Sequence, residues 1–291
     1  MKKFSYHKPR SLEQAFGLLS RHKEDAAVLA GGTDLLVEMK RRIKAPSHVI
    51  DIKALSFLDG VAANPDGSLR VGPLTTLQAL SRSPLLGNGW SLLAQAASQV
   101  GSLQVRNRAT LGGNICHASP GGDTLPALLC LNAQVKLARR GSERNLAIQD
   151  FFLGPGKCAL QPDELLTEIF LPPSPSGSRG VYKKFSLRRA MDLAVVGVAV
   201  LGVLDPSRKV FKDLRIGLGA VAPTPLRARK AEKILINAEI NEDLVRQASG
   251  LASEEAIPLS DLRGSEWYRR EIIRHLAEEA IKEIIAERMK Q

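Results

Sequence analysis

Two glycine-rich segments carry residue types suited to holding a phosphorylated ligand. The first is Ala30-Gly31-Gly32-Thr33-Asp34-Leu35, which directly follows the apolar run Ala26–Ala30. Glycines reach positive φ and leave no side chain in the way. Successive backbone N–H groups can then converge on a phosphate as an anion nest. The Thr33 hydroxyl adds a donor. Asp34 would repel a diphosphate, so its expected role is to accept from backbone N–H groups or from a ribose hydroxyl. Standing alone, a Gly-Gly pair reads first as a tight turn.

The second segment is longer and polar: Thr110-Leu111-Gly112-Gly113-Asn114-Ile115-Cys116-His117-Ala118-Ser119-Pro120-Gly121-Gly122-Asp123. It reads as one continuous loop. A helical pattern follows, with Pro126 in its first turn. Asp123 is expected to cap that helix or to hold a cofactor hydroxyl. A loop so rich in glycine and donors is costly to order unless it wraps a ligand. The two segments together therefore point to a phosphate-bearing cofactor.

Other chemistry is sparse. No G-x-x-x-x-G-K-[ST] pattern is present, which excludes a P-loop. Gly217-Leu218-Gly219-Ala220-Val221-Ala222 fits a dinucleotide fingerprint loosely, but Pro223 and Pro225 follow at once and would break its helix. That segment reads as the end of a strand, and Gly154-Pro155-Gly156-Lys157 as a turn. Cys116, Cys130 and Cys158 form no C-x-x-C, so neither a zinc nor an iron–sulfur site is expected. His117 is assigned no catalytic role. No Ser/His/Asp or paired-carboxylate arrangement stands out, and no catalytic or metal-binding residue is expected.

The composition of the 291 residues sets the frame. Their number suggests two domains. With 44% hydrophobic and 24% charged residues, the chain is an ordinary globular one. A net charge of +11 favours anionic partners. Aromatics at 4% argue against nucleic acid, since single-strand binders rely on stacking. The densest basic run, Lys40-Arg41-Arg42 with Lys44, reads as solvated surface. No apolar run follows Met1–Phe4, so no signal peptide is expected. Leu193–Leu204 is too short to span a bilayer and is broken by Gly197 and Gly202. Cytoplasmic localisation is the expectation.

These segments need elements to position them. Ser11-Leu12-Glu13-Gln14 predicts a capping box opening a helix over Leu12, Ala15, Phe16 and Leu19. Ala26–Ala30, His48–Lys53, Ser68–Leu74 and Glu164–Leu171 read as strands. Thr75 is expected to cap a helix that stops near Pro84, and Trp90–Val100 is helical. Ala133–Ala138 and Arg144–Ile148 predict a hairpin around Arg140–Ser142. The Pro/Ser/Gly run from Pro172 to Ser178 reads as a linker and places the boundary between domains there. Beyond it, Gly180–Leu187, Leu193–Asp205 and Val210–Val221 are strand-like. Helices follow, the last with Ile273, Leu276, Ala277, Ala280, Ile281, Ile284 and Ile285 on one face. Strands followed by helices predict an α+β fold.

At LAGGTDLL (29–36) and QVRNRATLGGNICHASPGGD (104–123) the chain resembles the FAD-binding medium subunits of molybdenum hydroxylases, of the xanthine dehydrogenase and carbon monoxide dehydrogenase types. The likeness extends to FFLGPGK, YKKFSLRRAMDLA and LGAVAPTPLRARKAE, and so covers nearly the whole chain. It implies a PCMH-type FAD-binding domain over residues 1–175, made of two α/β subdomains at about 1–55 and 56–175. A C-terminal flavoprotein domain over 178–291 would carry a small antiparallel sheet covered by helices.

The resemblance also assigns residues. Val28, Leu29, Ala30, Gly31, Gly32, Thr33, Asp34 and Leu35 would surround the FAD diphosphate, with Gly31 and Gly32 giving close backbone approach. Thr110, Leu111, Gly112, Gly113 and Asn114 would form a second phosphate and flavin wall, with Gly101 nearby. Ser119 and Asp123 would reach the adenosine or ribitol, Leu166 the adenine end through its backbone, and Lys184 the flavin. The role implied is electron transfer. A partner large subunit holds the molybdenum cofactor and hydroxylates substrate, and a small subunit passes electrons through its iron–sulfur clusters. FAD in this chain relays them to NAD or another acceptor, within a dimer of heterotrimers. No cysteine-rich insertion marks the hydroxybenzoyl-CoA reductase branch. The alternatives are a self-contained PCMH-type flavin reductase and a scaffold subunit that has lost its flavin.

Overall fold

The computed structural model describes residues 1–188, 190–205 and 207–289. Its first sheet is parallel, in the order β1 (Ser5–His7), β3 (His48–Asp51), β2 (Ala26–Leu29). Ser11 caps α1 (Leu12–His22) by accepting from the Gln14 N–H. Ala15, Phe16 and Leu19 of α1 are buried in one cluster with Ile50 and Ile52. α2 (Leu35–Lys40) buries Met39 with Leu29 and Val49, which alternate with Ile50 along the strands.

The second sheet is antiparallel throughout. It runs β4 (Val61–Ala63), β5 (Leu69–Val71), β10 (Leu165–Leu171), β6 (Gln134–Arg139), β7 (Ser142–Ala147). Between β5 and β6 come α3 (Leu77–Ser81), α4 (Ser91–Ser98), α5 (Leu103–Arg106), α6 (Leu111–His117) and α7 (Thr124–Cys130). α8 (Ile148–Phe151) and the hairpin of β8 (Phe152–Gly154) and β9 (Lys157–Cys158) precede β10.

Two local expectations change here. The cap of α3 is Thr76, which accepts from the Ala79 N–H; Thr75 instead bonds Gly60 through both its N–H-accepting and donating oxygen. The supposed continuous loop from Thr110 is a helix over its first half, because Thr110 caps α6 and tertiary partners satisfy its first turn. Only residues 118–123 remain irregular. The Pro172–Ser178 run is pinned: the Trp90 indole donates to the Pro172 carbonyl at 3.2 Å, and the Ser174 hydroxyl to the Gly89 carbonyl at 3.1 Å.

The third sheet is also antiparallel, in the order β11 (Arg179–Phe185), β12 (Val196–Asp205), β13 (Val210–Gly219), β14 (Leu226–Arg227). α9 (Arg229–Leu235), α10 (Glu242–Glu255) and α11 (Glu266–Met289) cover one face, with the predicted stripe of α11 turned inward. Tyr182, Ala199 and Leu201 point the other way, into the cluster built on α4 and α7. β12 is therefore covered on both faces, which explains its unbroken apolar run. Gly217 and Gly219 let α7 lie against β13. A Cβ on Gly217 would meet the Pro126 carbonyl at 2.5 Å, and one on Gly219 would meet the Pro126 ring at 2.7 Å. Close packing accounts for this pair of glycines without any dinucleotide.

Candidate functional site

A cleft of about 860 Å³ opens where the first sheet, the second sheet's helices and the connection between β11 and β12 meet. Ligand pockets commonly measure ~300–1,000 Å³. Its walls are β2 with the turn after it, Pro73–Leu77, the stretch from Val100 to Asp123, Glu164–Leu166, and Met191–Leu193. All the expected cofactor residues border it except Leu29, Leu111 and Lys184.

The first glycine turn is the most open to a ligand. Gly32 has φ +77°, which an L side chain rarely adopts. Gly31 is required for a different reason from the one expected: its Cβ position lies 2.1 Å from the Arg108 carbonyl, so the close approach is to the chain's own backbone. Among the described residues, the N–H groups of residues 31–34 have no acceptor. Unpaired donors on a turn leading into a helix form an anion cradle. Asp34 takes the N-cap place of α2 with no capping bond, so its expected backbone acceptor role is not met.

The second segment differs. The Leu111 N–H donates to the Thr75 carbonyl (3.0 Å), that of Gly112 to the Pro73 carbonyl (2.9 Å), and that of Gly113 to the Thr110 hydroxyl (3.1 Å). The first turn of α6 has spent its donors and is a wall rather than a second phosphate nest. Gly112 again admits backbone, with its Cβ position 2.7 Å from the Pro73 carbonyl oxygen. Leu29 and Leu111 are core residues. The Asn114 carbonyl oxygen accepts from the Thr124 hydroxyl at 2.6 Å, which orients its amide nitrogen.

Behind the cleft lies a buried charged network. The Lys184 ammonium donates to Asp123 at 2.8 Å, to the Asp192 carbonyl at 3.0 Å and to the Gln99 carbonyl at 3.1 Å. The Tyr182 hydroxyl donates to the other Asp123 oxygen at 2.9 Å. Burial pushes the Asp123 carboxyl above its ordinary range, against the opposing pull of Lys184 and Tyr182. Burial and the Asp123 charge push the Tyr182 phenol well up. Asp123 thus reaches the cleft while committed on its far side, and it makes no capping bond to α7. Lys184 is not among the residues lining the cleft, and its ammonium is engaged on the far side of Asp123.

The sequence signal missed several wall residues. Met191 (φ +54°) donates its N–H to the Gly101 carbonyl at 3.0 Å, where Gly101 itself has φ +50°. This contact fastens the connection between β11 and β12 beside the cleft. Leu165 and Leu166 sit beside a bulge in the β10–β6 register. Bulges re-aim backbone groups and are common beside sites. Glu164 is clamped by Arg144 through two bonds of 2.8 Å. That hydrogen bonding holds the Glu164 carboxyl below its usual range despite burial. His117 lies 3.3 Å from Glu38, which also pairs with Lys44 at 2.9 Å. Burial pushes the Cys116 and Cys158 thiols up and Cys130 up to about 12, so no thiolate nucleophile is on hand.

Comparison with known proteins gives concordant findings. Residues 2–174 match the family model of the FAD binding domain in molybdopterin dehydrogenase, and residues 181–284 that of the CO dehydrogenase flavoprotein C-terminal domain. The xanthine dehydrogenase FAD-binding subunit of Escherichia coli O157:H7 is 34% identical over 97% of this chain and 96% of its own. The carbon monoxide dehydrogenase medium chain of Afipia carboxidovorans is 34% identical over 91% of both chains. The solved structure of reconstituted CO dehydrogenase from Oligotropha carboxidovorans superposes with a TM-score of 0.93 at 31% identity, covering 98% of each chain.

Proposed function

The chain belongs to the family of FAD-binding medium subunits of the xanthine dehydrogenase and carbon monoxide dehydrogenase type, and from that premise we propose that it is the electron-transfer subunit of a multi-subunit molybdenum hydroxylase. In this reading it accepts electrons from the iron–sulfur clusters of a small partner subunit and delivers them to an acceptor such as NAD. Oxidation of the substrate belongs to a large subunit that holds the molybdenum cofactor. The assembly is a cytoplasmic dimer of heterotrimers, and the chain divides at Pro172–Ser178.

The observation that carries this reading is the turn of residues 31–34, whose N–H groups have no acceptor among the described residues and which borders a cleft of cofactor size. The donor set fits FAD, because a diphosphate is what an uncommitted cradle of N–H groups binds well. The backbone N–H groups of Gly31, Gly32, Thr33 and Asp34 hold the diphosphate, flanked by Val28, Ala30 and Leu35, while the Asp34 carboxylate turns to a ribose hydroxyl. Thr110, Gly112, Gly113, Asn114 and Gly101 shape the wall that keeps water from the flavin ring. Ser119 faces the ribitol side, and the bulged backbone at Leu166 takes the adenine end. Lys184 is a positioning residue, holding Asp123 and the Asp192 backbone in place. Bound FAD supplies the exchange between one-electron donors and a two-electron acceptor.

Co-expression with the neighbouring genes tests the assignment. A cysteine-rich small chain and a molybdenum-cofactor chain should co-purify, and reducing the clusters should bleach the flavin band. A flavin that stays oxidised while the clusters are fully reduced would refute the relay.

A further inference from the structure

His7, His22 and His48 converge on one face of the first sheet, and none of the three lines the cleft, although Ala26, paired with His48, does. They come from the end of β1, the last residue of α1 and the first residue of β3. Because Ser5 pairs with His48, His7 and His48 fall on the same face of the sheet, and α1 delivers His22 onto that face. The His22 and His48 rings stack with centroids 3.6 Å apart, and the His7 Nε2 lies 3.0 Å from the His48 Nδ1. One candidate ligand nitrogen from each ring lies within 4.8 Å of the others.

We propose that these three histidines form a binding site for one divalent first-row transition ion of the zinc class. Imidazole nitrogen is the preferred donor of such ions. Three histidines with a water at the fourth position make a complete tetrahedral set, in which ligand nitrogens are about 3.3 Å apart for bonds of ~2.0–2.1 Å. Reaching that spacing asks for side-chain rotation that unstacks the half-buried His22 and His48 rings. A bound ion explains the arrangement better than protonation does. Three imidazoles packed this closely repel one another when charged, and Arg21 adds to that repulsion while Asp25 partly offsets it. The ion would tie the C-terminus of α1 to both β1 and β3. It is a structural clip and takes no part in electron transfer.

The test uses the full chain without a histidine tag, stripped by chelator, with Co²⁺ as the optical probe. One equivalent of Co²⁺ should give tetrahedral d–d bands with no thiolate charge-transfer band, and one equivalent of Zn²⁺ should abolish them. His22→Gln and His48→Gln, each checked for unchanged flavin content, should weaken binding by at least tenfold (about 1.4 kcal/mol). Zn²⁺ should raise the melting temperature of the parent chain and leave that of the variants unmoved. Binding should also weaken on acidification, as protons compete with the ion for the imidazole nitrogens. Absence of stoichiometric Co²⁺ or Zn²⁺ binding overturns the site, as does undiminished binding in both variants.

Discussion

At the scale of single residues, two glycines and one ion pair carry the cleft. Gly31→Ala would set a methyl 2.1 Å from the Arg108 carbonyl and push two backbone segments apart. We expect a loss of roughly 1–3 kcal/mol in stability, as for other overpacked positions. Bound flavin should fall well below one per chain, measured after heat release. Lys184 and Asp123 are both nearly fully buried, with side chains 6% and 5% exposed. Lys184→Met leaves Asp123 without its ion partner and should cost about 3–5 kcal/mol, read by denaturant unfolding. Adding Asp123→Asn should recover much of that loss. An unrecovered double variant would assign Lys184 to something other than the pair.

Glu164 sets an acid limit. Its folded-state pKa is lowered by Arg144, so its contribution is fully present above the unfolded carboxylate pKa of about 4.5. It is lost as pH falls through the depressed folded value. Glu164→Gln should therefore flatten the melting-temperature profile below about pH 4.5 and leave its shape near pH 7 unchanged.

At the scale of elements, α6 and α7 determine the shape of the site. Thr110 caps α6, and Pro73 and Thr75 supply the carbonyls for its first turn. This external support is why a Leu-Gly-Gly-Asn segment is helical although two glycines oppose it by about 1 kcal/mol each. Local pattern does not disclose partners lying almost forty positions upstream, so the segment reads as a loop from sequence. By contrast, the Ser11 cap and the apolar stripe of α11 are local signals, and both were legible. The Gly217–Gly219 pair was legible only as the end of a strand; its purpose needs Pro126 in view. Gly217→Ala should cost roughly 1–3 kcal/mol by pushing α7 off β13. Limited proteolysis should then cut faster in the Pro172–Ser178 run, which is held against Gly89 and Trp90 in the intact fold.

At the scale of the whole molecule, the sequence already contained both glycine segments and most of the cleft wall. It did not show which segment keeps its N–H groups free. It also missed the approach of Met191–Leu193 and the pairing of Lys184 with Asp123. Those depend on how the third sheet docks, and no spacing rule encodes that. The histidine cluster was invisible for the same reason: positions 7, 22 and 48 have no motif spacing and meet only through a parallel sheet pairing. The net charge of +11 belongs to this scale too. If it steers docking to acidic partner subunits, dissociation of the complex should accelerate with salt.

The central claim is that the turn of residues 31–34 holds a diphosphate-bearing flavin in this chain. The most direct measurement is identification of the flavin released from the purified chain and from its co-expressed complex, by absorption spectrum and chromatography. FAD at close to one per chain is expected, with Gly31→Ala markedly depleted. Preparations that carry no flavin in either form, or that carry FMN in its place, would contradict it.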